Sequence, residues 1–264
     1  MSDNWYLEED FWRTFGRFMF NEASFAEGKR QVESLTRLVG IDGGQVLDLG
    51  AGPGRHAVPL AAQGYTVTAV DTSHQLLSEL MRRAGNLEIE ALVADMREFH
   101  RERAFDLVLV MWTSFGYFEA ESDHRRVLDR IFSSLRPGGR LVLDLVGLEY
   151  LCRNLQPVHL TEDEEGRLLI ERPLLTDDLT RLENEWILVD GNTVHRTDFS
   201  HRVWSAGEIS LLLNQAGLDL VAIHGGYDGE PYDLDAERLI VIAERPPEES
   251  GNGEKSAYGQ DFED

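Results

Sequence analysis

The side chains with the clearest chemical potential are three carboxylates, each at or near the end of an apolar run. Asp48 stands inside Val46-Leu47-Asp48-Leu49, Asp71 closes the run from Tyr65 to Val70, and Asp95 follows Leu87 to Ala94. Such runs, bounded by turn residues, read as buried parallel strands. The carboxyl ends of these strands are where open α/β sheets collect ligands. Between the first run and the helical stretch Ala57–Ala62 lie Gly50, Gly52 and Gly54. Glycines at a strand-to-helix turn let the backbone reverse sharply and come close to a ligand. The helix start beyond them offers unpaired N–H groups. The chemistry implied is capture of a nucleotide-type ligand.

The charge of this turn narrows the ligand. In the dinucleotide fingerprint G-x-G-x-x-G the third glycine packs helix on strand. Here it comes one residue early, and Arg55 stands in its place. Pro53 removes one N–H, and Asp48 repels a phosphate. The pattern suits a sulfonium or an amine better than a pyrophosphate. Asp71 suits the two hydroxyls of a ribose, or else caps the helix Gln75–Arg83, a role Ser73 fills equally well. Asp95 suits the amino group of an adenine, or else caps a turn. Phe105–Val110 is a fourth strand, and the loop Met111–Tyr117 at its carboxyl end should line the pocket. His56 reads as a support of the loop.

The elements that must position these residues alternate. Strands at 46–49, 65–70, 87–94, 105–110 and 140–146 are interleaved with helices, the last helix (123–135) being stopped by Pro137-Gly138-Gly139. This alternation predicts a parallel, doubly wound sheet with right-handed crossovers. Phe11, Phe15 and Phe18 follow helical spacing, with Trp12 beside them. They form either a helix packed on the core or an aromatic lid over a bound ligand. Strands at 168–170, 181–189 and 194–204, the last two joined by a turn at Asp190-Gly191-Asn192, predict an antiparallel insertion. Ser205–Ala216 is then a helix, followed by strands at 218–224 and 239–244. The expected division is a helical cap over 1–40, the α/β domain over 41–150 and 205–245, the β insertion over 151–204 above the substrate site, and a disordered acidic tail over 246–264.

Composition excludes some functions. With 25 Lys and Arg against 48 Asp and Glu, the net charge of −23 disfavours a nucleic-acid partner. Cys152 is the only cysteine, so no intrachain disulfide forms, and a reducing, cytoplasmic setting is expected. No apolar run approaches a membrane span, the first residues do not resemble a signal peptide, and no metal-ligand spacing is present.

Asp48-Leu49-Gly50-Ala51-Gly52-Pro53-Gly54-Arg55-His56, the acid Asp71, Ala94-Asp95-Met96 and Leu135-Arg136-Pro137-Gly138-Gly139, in this order and at these intervals, resemble the class I S-adenosylmethionine-dependent methyltransferases. The resemblance covers roughly residues 45–147 and 205–245. It implies a Rossmann-like seven-stranded sheet, the last strand antiparallel, and S-adenosylmethionine as donor with S-adenosylhomocysteine as product. By position it assigns donor binding to Gly50, Ala51, Gly52, Gly54, Asp71, Thr72, Asp95, Met96 and the loop Met111, Trp112, Thr113. Small-molecule members are the nearest comparison, with an N, O or C acceptor. Transfer is an in-line displacement, so alignment matters most. A general base is needed only if the acceptor arrives protonated. Candidates are His201, Tyr117 and Tyr227, and beyond them His195 and Tyr232. The competing readings are another transferase on the same cofactor, which an arginine aimed at a carboxylated donor would favour, and an NAD-dependent oxidoreductase, against which the early third glycine argues. The β insertion could also pair two subunits into a homodimer.

Overall fold

The computed structural model describes residues 4–248. The expected disordered tail therefore lies, from residue 249 onward, outside the described residues. In chain order the strands are β1 (Gln45–Leu49), β2 (Thr66–Asp71), β3 (Ile89–Val93), β4 (Phe105–Val110), β5 (Leu135–Leu145), β6 (His159–Glu162), β7 (Leu168–Leu175), β8 (Arg181–Asp190), β9 (Thr193–Arg202), β10 (Asp219–His224) and β11 (Leu239–Glu244). The helices are α1 (Glu9–Met19), α2 (Glu22–Val39), α3 (Ala57–Ala62), α4 (His74–Ala84), α5 (Glu121–Ser134), α6 (Leu148–Asn154) and α7 (Ala206–Gln215).

Seven strands form one sheet in the order β10-β11-β5-β4-β1-β2-β3. Strands β1 to β5 pair in parallel, and β11 runs antiparallel to both β5 and β10. Both faces are covered, which is why the strands read as unbroken apolar runs. Leu141, Leu143 and Leu145 of β5 point to a core that contains α5 and α7, whereas Val142 points to one built with α2, α3 and α4. The strand order reverses beside β1, so β1 and β4 open a crevice at their carboxyl ends. β5 starts earlier than its sequence pattern suggests. The Gly138 N–H donates to the Arg245 carbonyl and the Arg245 N–H to the Gly139 carbonyl, at 2.8 and 2.9 Å. This pairing extends the sheet across the Pro-Gly-Gly turn.

Local signals set the helix ends. Ser73 caps α4 by accepting from the Leu76 N–H at 3.1 Å. Ser205 and Glu208 form a capping box at α7. Gly40 ends α2 with φ +69°, where a residue with a Cβ is strained.

The insertion is a second, four-stranded antiparallel sheet, β6-β7-β8-β9. One strand more than the sequence suggests is present. All four residues of β6 are exposed, so the strand carries no hydrophobic alternation to detect. The inner face of the sheet packs on the N-terminal segment. Phe11 and Phe15 lie 5.9 and 5.8 Å from the Trp186 ring, and Trp5 lies 4.5 Å from Phe199. This aromatic contact joins the insertion to α1. Trp186→Ala should cost about 3–5 kcal/mol in urea unfolding, whereas Leu174→Ala, on the exposed face, should stay within about 0.5 kcal/mol.

Candidate active site

The turn after β1 is fastened by its own sheet. The Gly50 and Ala51 N–H groups both donate to the Val70 carbonyl, at 2.8 and 3.1 Å. The Gly52 N–H donates to Asp71 Oδ2 at 2.8 Å. Three consecutive amides therefore point at the end of β2 and not at an external anion. Asp71 Oδ1 accepts from the Ser73 N–H at 2.9 Å, and Ser73, not Asp71, caps α4. Two of about four acceptor positions on the Asp71 carboxylate are thus used by the backbone. Gly50 and Gly52 have φ +74° and +54°, and a Cβ on Gly50 would stand 3.1 Å from Ser114. Only glycine keeps this approach open.

The loop after β4 is equally constrained. Trp112 and Thr113 take φ +54° and +65°, an unfavourable region for side chains of this size. Asp144, fully buried in β5, holds them there. Its Oδ2 accepts from the Trp112 N–H at 3.0 Å, and its backbone carbonyl accepts from the Thr113 N–H at 2.8 Å. The Asp144 carboxylate also accepts from the Tyr227 hydroxyl and from Arg238 Nε, each at 2.6 Å.

Between these two loops lies a cavity with about 850 Å³ of empty space, its mouth included. Its floor is Gly50, Ala51 and Gly52, one wall is Asp71, Thr72, Asp95 and Met96, and the opposite wall is Met111, Trp112, Ser114 and Tyr117. Tyr6, Trp12, Met19 and Phe20 of the N-terminal segment close it over. The aromatics of this segment therefore divide their work: Phe11 and Phe15 face the second sheet, and Trp12 faces the cavity. Glu9 fixes the segment by accepting from the Ser73 hydroxyl at 2.8 Å. No residue of 151–204 reaches the cavity. The insertion braces the roof from behind instead of forming it.

Of the residues singled out in the sequence, Gly54 and Thr113 do not line the cavity. Gly54 instead packs α3 against α4, where a Cβ would meet Val58 and Leu80 at 2.8 Å. Asp95 lines it while paired with Arg97, whose terminal nitrogen lies at 2.6 Å. Of the proposed bases only Tyr117 is present. Tyr227 is turned onto Asp144, and Tyr232 donates to Glu149 at 2.7 Å. His195 is exposed on β9, and His201 is half-buried in the same strand, opposite Leu182.

Comparison with known proteins fits this geometry. A family model described as a methyltransferase domain matches residues 46–139. The cypemycin N-terminal methyltransferase of a Streptomyces species is 30% identical over 207 residues, covering 78% of this chain and 84% of that one. The chain belongs to the class I S-adenosylmethionine-dependent methyltransferases. Two solved structures share its fold. An S-adenosylmethionine-dependent methyltransferase from Clostridium acetobutylicum superposes with a TM-score of 0.74 at 18% identity, over 90% of this chain and 98% of its own. An amino pentose methyltransferase from Micromonospora echinaspora, solved with S-adenosylmethionine, gives 0.62 at 21%, over 85% and 92%.

Sequence reasoning missed several residues of this methyltransferase's site. Asp144 repeats the Val-Leu-Asp-Leu pattern of residues 46–49 at 142–145, an acid in an apolar strand, and that signal was legible. Gln31 carried no such mark; its side-chain oxygen accepts from His56 Nε2 at 2.9 Å and from Trp112 Nε1 at 3.4 Å. Burial holds the His56 imidazole down to about 3, with the Arg55 charge adding to the effect, so the ring is neutral. Burial lifts the Tyr117 hydroxyl to about 12, with Asp71 adding, so it stays protonated near neutral pH.

Asp48 is pushed up to about 7, first by burial and then by the charge of Asp71. Its folded pKa is raised above the unfolded value of 3.8, so the folded state retains a proton the unfolded chain releases. The associated stability is complete below about pH 4 and is lost as pH rises towards 7. Asp48→Asn removes this dependence. Relative to the wild type, the variant should gain stability steadily between pH 4 and 7 and hold the gain above. Denaturant titrations across pH should show the gain, with a slope of at most roughly 1.4 kcal/mol per pH unit.

Proposed function

We propose that this methyltransferase moves the methyl group of S-adenosylmethionine to an unprotonated amine of a small molecule. The observation that carries the donor site is the glycine turn bound to β2: the amides of Gly50, Ala51 and Gly52 are taken, so the floor suits a ligand that brings no phosphate. Asp71 keeps acceptor positions for two ribose hydroxyls. Asp95 and Met96 stand where an adenine would lie, and Thr72 extends that wall. Met111 and Trp112 face the amino-acid end. When bound, the donor supplies an electrophilic methyl group on a cationic sulfur. The surrounding carboxylates and aromatic faces favour that charge, at about 0.5–2 kcal/mol for each cation–π contact.

The rest of the work is alignment and exclusion of water. Tyr6, Trp12 and Phe20 cover the cavity, and the bound Asp144 fixes the opposite wall. An amine is favoured over a hydroxyl because the tyrosines of the aromatic wall stay protonated. Tyr6 and Tyr117 are both pushed up, chiefly by burial, and neither accepts a proton near neutrality. A neutral amine carries its own lone pair and needs no proton removed before transfer. Tyr117 then positions the acceptor through its hydroxyl and ring. The similar cypemycin enzyme is named for an N-terminal substrate, and the Micromonospora neighbour for an amino pentose; both support a nitrogen acceptor.

Calorimetry should show S-adenosylhomocysteine binding to the wild type, and Asp71→Asn should weaken it about tenfold or more. With S-adenosylmethionine and matched panels of small amines and alcohols, mass spectrometry should find methylated amines. Preferential methylation of the alcohols would overturn the nitrogen assignment.

A further inference from the structure

Trp112 combines exposure with constraint. Among the described residues that line the cavity it is the one exposed member, at 42%, so it marks the mouth. Its backbone is in the left-handed region, as is that of Thr113. Such a conformation is costly for a side chain of this size and persists only where the surroundings over-determine it. Burial of the indole does not offset that cost, since much of the ring stays in water. Contacts hold it instead. Asp144 accepts from the Trp112 N–H at 3.0 Å, and the ring Nε1–H donates to the buried Gln31 of α2 at 3.4 Å. The Arg55 guanidinium lies 3.8 Å from the ring centre. Three elements, β5, α2 and the glycine loop, thus fix a side chain that solvent would otherwise leave free to turn.

We infer that the exposed indole of Trp112 is the surface on which the acceptor lands, and that it selects amines carried on a ring. This deepens the proposed function and rests on it. The donor's amino-acid end takes the inner part of this wall, so an acceptor coming through the mouth reaches the methyl group past Trp112. An aromatic ring displayed in a fixed orientation offers a large contact area with little ordering cost on binding. The charges around it decide what it takes. Arg238, 5.5 Å from the ring centre, is paired with Asp144, whereas Arg55 donates to the Met19 carbonyl, a neutral partner. Burial draws Arg55 down only to about 10, so it remains a cation near neutral pH. A second cation on the indole would meet that charge, and like charges repel. The ammonium form of an amine is therefore disfavoured there, whereas an uncharged ring packs its face or its C–H groups on the indole. The nitrogen then enters first, toward Tyr117, and the ring stays at the mouth. Trp112 becomes a specificity residue for the acceptor, beyond the donor-binding role that the family pattern implies for its position.

The test uses the full chain, S-adenosylmethionine and a pair of primary amines of equal carbon count, cyclohexylmethylamine and n-heptylamine. Wild-type kcat/KM should favour the cyclic amine about tenfold or more. Trp112→Leu should raise KM for the cyclic amine about tenfold, with a smaller change in kcat, and bring the preference down to about twofold. Trp112→Phe, which keeps a ring, should retain most of the preference. Calorimetry with S-adenosylhomocysteine on each variant reports that it is folded and holds the donor. A wild type that binds S-adenosylhomocysteine but methylates neither amine, or shows no preference for the cyclic one, would overturn the inference and leave the donor reading standing. A Trp112→Leu variant that slows both amines equally would overturn it too, and would reduce Trp112 to a structural wall. Loss of S-adenosylhomocysteine affinity in parallel with turnover would give Trp112 to the donor alone. A wild type that binds no S-adenosylhomocysteine would overturn the proposed function itself, and this inference with it.

Discussion

The attachment of the glycine turn to the end of β2 is the constraint on which the site depends. Val70 and Asp71 together accept the N–H groups of Gly50, Ala51, Gly52 and Ser73. This sets the path of the backbone from β1 into α3 and the start of α4, and it decides what the turn can bind. Rossmann-type phosphate sites work because amides at the turn are free. Here they are not, and the same glycines that could have cradled an anion present a closed surface bordered by acids. Hydroxyls and positive charge are the ligand groups that this acid-bordered end of the sheet accommodates best.

A second carboxylate does for the far wall what Asp71 does for the near one. Asp144 is fully buried, yet its partners are the Trp112 amide, Tyr227 and Arg238. Holding Trp112 and Thr113 at positive φ is costly, and the network is what over-determines that conformation. The burial of an ionic group here is therefore tied to the shape of the cavity more than to net stability, since buried ion pairs are weak stabilisers by themselves. The two loops are also tied together through Gln31, whose side-chain oxygen accepts from His56 on the glycine loop and from Trp112.

The main sheet was legible because both of its faces are covered. Each parallel strand reads as an apolar run, and the turn residues between them fall where helices begin and end. The same logic anticipated that Asp71, Asp95 and part of the Met111–Tyr117 loop would line a cavity at the strand ends. Three things were hidden. β6 has no buried face and so no period. The roof residues Tyr6 and Phe20 look like any aromatic of a packed helix until the second sheet is seen to claim Phe11 and Phe15 and leave the others to the cavity. Tyr227, Tyr232, His195 and His201 looked available because sequence gives their position along the chain but not the partner each hydroxyl or ring meets. Tyr227 and Tyr232 are bound to Asp144 and Glu149, long-range contacts with no local signature.

The central claim is that the β1–β2 edge, locked by Asp71, is where the ribose of the methyl donor binds. A crystal structure of the S-adenosylhomocysteine complex tests it most directly. Both ribose hydroxyls are expected within about 3 Å of the Asp71 carboxylate, with the Gly52 amide still bound to it and the sulfur turned towards Tyr117. Ligand density with the ribose elsewhere in the cavity, or a glycine turn released from β2 to meet the ligand with its amides, would contradict it.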